Sequence, residues 1–507
     1  MRPSGLDIHS QSRDSGPVTP PPVHRHLSAT TTARLLGAWH SGGPAYRALA
    51  DALRLAVLAG TVPPHTRLPS ERDLAGALGV SRSTTTAAYR RLRESGFAAT
   101  RTGSGTVAVL PRPSPSTAPT PQGGDAPAVT WQVPGHDVVD LAQATPGAPP
   151  HLHAAYARAL EALPAYLARG GYEPFGVPAL RQAVADRYTE RGTPTSPDQI
   201  LVTTGAQHAL HLLAGTFLRP RDVAVVQSPT YVHALEVLRR AGARLVPVSA
   251  PARPDDGPAL DPDVLASTLR QVRPRLVYLV PDFHNPTGRS LSADERAAVR
   301  TAAHRAGVTV VADETLTELV LDGPDGGPAR DADVPPPFAG DGRSPFVVSV
   351  GSASKTFWGG LRIGWVRAHP DVVAQLARRR GSVDIASPLL EQLAVTELLA
   401  RRAEVLEGRR VVLREQRDRL VAGLRTALPW DVPAPAGGLV LWPALGGPLA
   451  QAFAAAAAAE GVLVGAGPTF TTDGGSTDRV RLSFAREVVE VEAALPRLVR
   501  AWERVTG

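Results

Sequence analysis

Apolar residues recur with two different periods along the chain. From Pro44 the spacing is helical: Tyr46, Leu49, Leu53, Val57 and Leu58 share one face, and Gly60 ends the run. A second helix is predicted from Ser70 as N-cap to about Leu78, with a break at Gly79-Val80. Ser81 then caps a third helix, SRSTTTAAYRRLRES, which stops at Gly96. Two short helices around a tight glycine turn make a helix-turn-helix. The next stretch, FAATRTGSGTVAVL, reads as two short strands around a Gly-rich turn, which would form a wing.

Beyond residue 138 the pattern changes. Short apolar runs such as RLVPVSA, LVYLVPD, VTVVADE and FVVSVGS alternate with helical stretches such as VPALRQAVADRYTERG and SADERAAVRTAAHRAG. Strands that are apolar on both faces need helices on both sides, so the expectation is an α/β domain with a mostly parallel sheet over residues 138–507. Residues 1–40, rich in Pro, Ser, Thr and His, read as a mobile tail, although LLGAW at 35–39 has the composition of a packing segment. The helix-turn-helix and wing occupy 41–110. A Pro-rich linker fills 111–137, and a Gly/Pro-rich insertion falls at 322–345.

Charge sharpens this division. Residues 1–110 carry 13 Arg against 6 acidic residues, a surplus of seven, and the rest of the chain is balanced. A positive surplus confined to a small unit suits a phosphate backbone, although a solubilising basic face would look the same from composition alone. No apolar run is long enough to cross a bilayer, and the N-terminal stretch lacks the apolar core of a signal peptide, so a cytoplasmic location is expected. Cysteine is absent, which excludes disulfides and thiolate metal sites.

Of 54 basic residues, 53 are Arg; Lys355 is the only lysine. A chain that uses Arg so consistently keeps Lys where a guanidinium fails. A primary amine condenses with an aldehyde to a Schiff base, and its pKa can be lowered enough to do so, whereas Arg stays protonated. The flanking sequence VVSVGSASKTFWGGLRIGW places Ser352, Ser354 and Arg362 beside that amine, a set suited to a phosphate dianion. Upstream, LVTTGAQHALHLLAG reads strand, turn, helix, and aims the free backbone N–H groups of Gly205, Ala206 and Gln207 at an anion. Asp313 ends the apolar strand VTVVAD, where it would keep a pyridine nitrogen protonated. Asn285 in PDFHNPTG would donate to a ring hydroxyl. Taken singly, each also has an ordinary explanation, as a helix cap or a turn.

Together these motifs resemble the fold-type I, class I aminotransferases over about residues 138–505, on TGAQ, HNPTG, the Asp313 strand, SxSK with Arg362, and RVRLSFAR. The resemblance implies pyridoxal 5'-phosphate on Lys355, Tyr231 of SPTY stacked on its ring, and Arg481 binding an effector carboxylate. It also implies that Tyr172 of GGYEPFG reaches the phosphate of a neighbouring subunit, hence a dimer. One departure stands out: the Asp strand of that family continues to a tyrosine, and here the stretch is DETL, with Thr315 near that place.

The N-terminal unit, over residues 46–108, resembles the winged helix-turn-helix of the GntR family, chiefly through LPSERDLA and the S-R-S-T start of the third helix. That resemblance implies operator contacts from Arg72, Ser81, Arg82, Ser83 and Thr84 and a minor-groove approach at Gly103. Thr86 replaces an Arg found in some members, and Arg90, Arg91 and Arg93 lie further along the helix. Such a reader joined through a Pro-rich linker to an aminotransferase-like domain is identified as the architecture of the MocR subfamily. It implies a regulator whose larger domain forms a head-to-tail homodimer, and which binds a double-stranded DNA operator and senses pyridoxal phosphate or an amine or amino-acid effector. Two other readings stay open: a working aminotransferase with an accessory N-terminal domain, and a repressor with a degenerate, cofactor-free domain.

Overall fold

The computed structural model describes residues 25–40, 43–101, 105–111, 138–251 and 257–507. It divides into two compact units, Met1–Ser114 and Pro115–Gly507. The expected linker at 111–137 lies outside the described residues except for Pro111.

The small unit runs β1 (Arg25–His26), α1 (Ala29–Leu36), α2 (Ala45–Leu58), β2 (Thr66–Arg67), α3 (Glu71–Leu78), α4 (Arg82–Glu94), β3 (Ala98–Arg101) and β4 (Gly105–Ala108). Its four strands form one sheet in the order β1-β2-β4-β3. Leu49, Leu53 and Val57 of α2 pack with Leu74, Ala88, Tyr89 and Leu92 in a single apolar core, as their helical spacing requires. Ser70 and Ser81 cap α3 and α4 by accepting from the backbone N–H groups of Asp73 and Thr84. Between the helices Gly79 adopts φ +66°, a left-handed C-cap that glycine takes at no steric cost. One expectation is corrected here. The sequence reads 25–40 as part of the mobile tail, yet Arg25–His26 joins the sheet and α1 packs against α2 and α3. The two-residue strand is too short to show a period, and α1, ATTTARLL, carries three consecutive β-branched threonines that read against a helix.

The large unit is built on a seven-stranded sheet. In spatial order its strands are Ile200–Thr203, Gly364–Arg367, Val347–Ser352, Thr309–Asp313, Leu276–Leu279, Val223–Ser228 and Arg244–Ser249. Only Gly364–Arg367 runs antiparallel to its neighbours. Most residues of the inner strands are buried, in separate apolar clusters on the two faces, which is why those runs read as continuously apolar. A second, smaller layer forms near the C-terminus, where Val440–Leu441, Val480–Ser483 and Gly465–Ala466 pair beneath the helices Arg402–Ala427, Ala450–Ala459 and Val488–Thr506. The insertion at 322–345 holds one turn of 3-10 helix, Asp331–Asp333, whose Asp331 is gripped by Arg187. No described helix is long and apolar enough to cross a membrane.

Candidate functional site: a lysine cleft and a DNA-reading helix

Lys355 lies in the short helix Ala353–Thr356, directly after the strand Val347–Ser352. Its Nζ donates to the carbonyl of Ala144 at 2.7 Å. Burial pushes the amine down to about 8, helped by the positive charges of Arg481, Arg362 and Arg486 and opposed by Asp313. A neutral, nucleophilic amine is therefore accessible near neutral pH, as aldehyde capture requires.

Around the amine the expected residues converge. Asp313 ends its strand fully inside the protein, at 4% exposure. Oδ2 accepts from the Tyr278 hydroxyl at 2.8 Å, and Oδ1 accepts from the Thr315 backbone N–H at 3.1 Å. Burial raises this carboxyl above its ordinary range, against the pull of those hydrogen bonds and of Lys355. Tyr231 lies within the field of Asp313, Arg481 and Arg362, and burial raises its phenol. Asn285 Oδ1 accepts from Arg481 Nη1 at 3.1 Å, which leaves the amide NH2 to donate elsewhere. Arg481 itself stacks on Phe470, with its guanidinium carbon 4.6 Å from the ring centre, and also donates to the Ala142 carbonyl.

On the phosphate side, Gly205 caps the helix Ala206–Phe217 with φ +84°. A Cβ there would stand 2.5 Å from Arg362 Nη2, so only glycine lets that guanidinium approach the helix start. Arg362 donates to the Thr204 carbonyl at 3.2 Å. The backbone N–H groups of the first helical turn have no intrahelical partners and face the same region. Ser352 Oγ accepts from the Ser354 N–H, while Ser354 Oγ is buried with no partner, as is Gln207 Oε1. An orphaned hydroxyl beside an arginine and a helix start is what a phosphate ester would satisfy. The residues present therefore fit a phosphorylated pyridine aldehyde.

Tyr172 is 67% exposed. Thr315 meets Asp313 through its backbone N–H and its side-chain hydroxyl, and Leu316 after it is buried in an apolar cluster, so no phenol follows the aspartate. Sequence reasoning missed Tyr278 and the Ala144 carbonyl. A signal existed for the first: a tyrosine inside an otherwise apolar strand must find a partner for its hydroxyl.

In the small unit, Ser81, Arg82 and Ser83 are exposed at the start of α4, with Thr84 partly covered, and Arg72 is exposed at the start of α3. Ser81 Oγ also bonds the hydroxyls of Ser83 and Thr84, each at 2.8 Å. The Thr86 hydroxyl donates to Glu71 Oε2 at 2.6 Å. Gly103 lies outside the described residues.

Fold and site together define a vitamin B6 aminotransferase fold carried on the same chain as a winged helix-turn-helix. Residues 145–498 match the model of aminotransferase class I and II, and residues 45–107 match that of the bacterial regulatory proteins of the gntR family. The chain belongs to the class I and II aminotransferase family, whose cofactor is pyridoxal 5'-phosphate, and with its gntR reader it has the MocR arrangement. It is 33% identical, over 57% of its length and 71% of the relative's, to a 2-aminoadipate transaminase of Thermus thermophilus. It is 29% identical, over 79% of its length and 84% of the relative's, to the uncharacterized HTH-type transcriptional regulator YisV of Bacillus subtilis. Among solved structures, the α-aminoadipate aminotransferase LysN of Thermus thermophilus superposes with a TM-score of 0.64 at 29% identity, covering 73% of this chain and 93% of that one.

Proposed function

We propose that this chain is a pyridoxal 5'-phosphate-dependent, DNA-binding transcriptional regulator whose aminotransferase-like domain senses the cofactor or an amine or amino-acid effector. One observation carries the reading: a lysine cleft fit for the cofactor and an exposed, Ser/Arg-led recognition helix occur on one chain, and a relative matched over 79% of this chain is named an HTH-type transcriptional regulator.

In this reading Lys355 holds the cofactor aldehyde, and Asp313 keeps the ring nitrogen protonated. Asn285 donates to the ring oxygen, and Tyr231 stacks on the ring. Gly205, Ala206, Gln207, Ser352, Ser354 and Arg362 bind the phosphate. When bound, the cofactor supplies an electrophilic aldehyde that an effector amine can take over from Lys355, and Arg481 would meet the carboxylate of such an effector. Arg72, Ser81, Arg82, Ser83, Thr84 and Gly103 contact operator DNA. Tyr172 serves a second copy of the chain in a head-to-tail homodimer, which accounts for its exposure in one protomer. The reader takes in 25–40 as well as 41–110, followed by a linker over 111–137 and the cofactor domain over 138–507. The protein works in the cytoplasm. A ligand that changes contacts at Lys355 alters DNA affinity only as far as it binds one arrangement of the protein better than another.

The second reading, a working aminotransferase with an accessory N-terminal domain, is favoured by the identity to a transaminase. Two measurements on the full chain separate them: binding to the duplex upstream of its own gene with and without pyridoxal phosphate and amino acids, and keto-acid release. A cofactor-dependent shift in DNA affinity without sustained release supports the regulator. Steady release with unchanged DNA binding overturns it.

A further inference from the structure

The gntR match begins at residue 45, yet the chain ahead of it is built into the same sheet. β1 runs parallel to β2 with Arg25 opposite Thr66 and His26 opposite Arg67, and the Leu27 N–H donates to the Arg67 carbonyl at 3.0 Å. Strands in a sheet lie about 4.8 Å apart, so His26 and Arg67 stand side by side. Arg67 reaches across to Gly105, the first residue of β4 after the wing turn: a Cβ at Gly105 would be 3.2 Å from its Nε. The arm is fixed in place. Thr32 of α1 is fully buried and donates to the Ser28 carbonyl, and Ser28 caps α1.

Direction matters as much as position. β2 leads through Leu68-Pro69 into Ser70 and the start of α3, where Arg72 is exposed. β1, parallel to it, leads in the same sense into Ser28 and α1. The arm therefore runs toward the start of α3, on which α1 packs, and lies one strand away from β4. Residues 25–40 contain Arg25, His26, Arg34 and His40 and no acidic residue. Arg25, His26 and Arg34 are exposed, and none of them has a carboxylate partner among the described residues. Unpaired guanidinium groups on an arm that shares its sheet with the wing strands suit backbone phosphates.

Resting on the reading of this unit as a DNA reader, we propose that the β1–α1 arm is a second, sequence-independent contact to duplex DNA, with Arg25 and Arg67 on backbone phosphates beside the wing. The test uses the full chain and two probes, a short duplex of arbitrary sequence and the duplex upstream of its own gene. Affinity is measured from ~50 to ~200 mM salt, because each phosphate contact releases about 0.9 counterion. Arg25→Ala and Arg67→Ala should each weaken binding to both probes about eightfold at ~0.1 M salt and make the log–log salt slope shallower by about 0.9. Arg25→Lys should keep the slope, since an ammonium serves a phosphate as a point charge. Unchanged affinity and slope in Arg25→Ala overturn the proposal. So does a loss that Arg25→Lys fails to restore, which would mark a structural role. Failure of the unaltered chain to bind either duplex would instead overturn the DNA-reading assignment on which the arm depends.

Discussion

The Tyr278 hydroxyl donates to Asp313 Oδ2 at 2.8 Å in a part of the core where both side chains are almost wholly covered. With the Thr315 N–H on Oδ1, the carboxylate is held from two sides and cannot turn away from the cleft. A carboxylate meant to meet a ring nitrogen needs such bracing, because its own burial favours the neutral form that would give the interaction up. Tyr278→Phe removes one brace with little change of shape. A buried hydrogen bond to a charged group contributes about 1.5–3 kcal/mol, so the expected loss in pyridoxal phosphate affinity is about 10- to 150-fold. An absorbance titration of the variant measures it, and affinity equal to that of the unaltered chain would deny Tyr278 any part in positioning Asp313.

Because Lys355 is the only lysine, covalent capture has a clean readout. Borohydride treatment of the chain loaded with pyridoxal phosphate should fix one cofactor mass, located on the peptide containing Lys355. Lys355→Arg keeps the charge and much of the bulk but offers no nucleophilic amine, so the adduct should vanish from that peptide. A label that persists elsewhere on the Arg variant at the same yield would move the site.

The pH dependence of loading follows from the depressed amine. With a pKa of about 8 in the fold, roughly a tenth of Lys355 is neutral at pH 7, against well under a hundredth for an ordinary lysine. The protonated form cannot attack. Loading should therefore quicken close to tenfold per unit below pH 8 and level off above it, when followed by stopped-flow absorbance. The sign for stability is the same: the unfolded chain binds the proton more tightly, so this group's contribution opposes folding below pH 8, and that cost falls away between about 8 and 10.5 as pH rises. A rate that keeps climbing past pH 9 contradicts the depressed pKa.

What the sequence displayed depended on how much repetition each feature offered. Strands covered on both faces, such as Val347–Ser352, stand out as apolar runs, and Lys355 stands out because nothing else in the chain has its chemistry. The reader's helices carry both caps and a helical period. Features fixed by tertiary geometry were invisible. Arg25–His26 becomes a strand only through pairing with β2, and Val440–Leu441 only through Val480–Ser483. Thr86 looks like a free hydroxyl in sequence, and only the packing of α4 on α3 brings it to Glu71. Tyr278 faces Asp313 because parallel register sets Tyr278 beside Val311, two residues before the aspartate.

Gly205→Ala tests the phosphate cup. At φ +84° an alanine is strained by about 1–2 kcal/mol, and its Cβ would collide with the Arg362 guanidinium 2.5 Å away. Arg362 is exposed, so it can swing aside and the fold should survive with a small fall in melting temperature. The phosphate then loses its fork. Affinity for pyridoxal phosphate should fall at least tenfold while affinity for pyridoxal, which lacks the phosphate, stays nearly level. An equal loss for both ligands would mean that Gly205 serves the backbone turn alone.

In the reader, two residues three apart on α4 should fail in different ways. Thr85 is fully buried, with its hydroxyl 2.8 Å from the Glu71 carbonyl and 2.9 Å from that of Arg82. It ties α4 to the start of α3, so Thr85→Val leaves the Glu71 carbonyl without that donor at a cost of about 1–3 kcal/mol in stability. Arg82 is exposed and makes no described side-chain bond within the protein, so Arg82→Ala should leave the melting temperature of the reader unchanged. Its cost appears only on DNA. If its fork meets a base edge, the variant should lose about 5- to 150-fold in preference for the upstream duplex over an arbitrary one. A uniform loss on both duplexes would place Arg82 on a phosphate instead, and a drop in melting temperature would show that it supports the helix rather than reads with it.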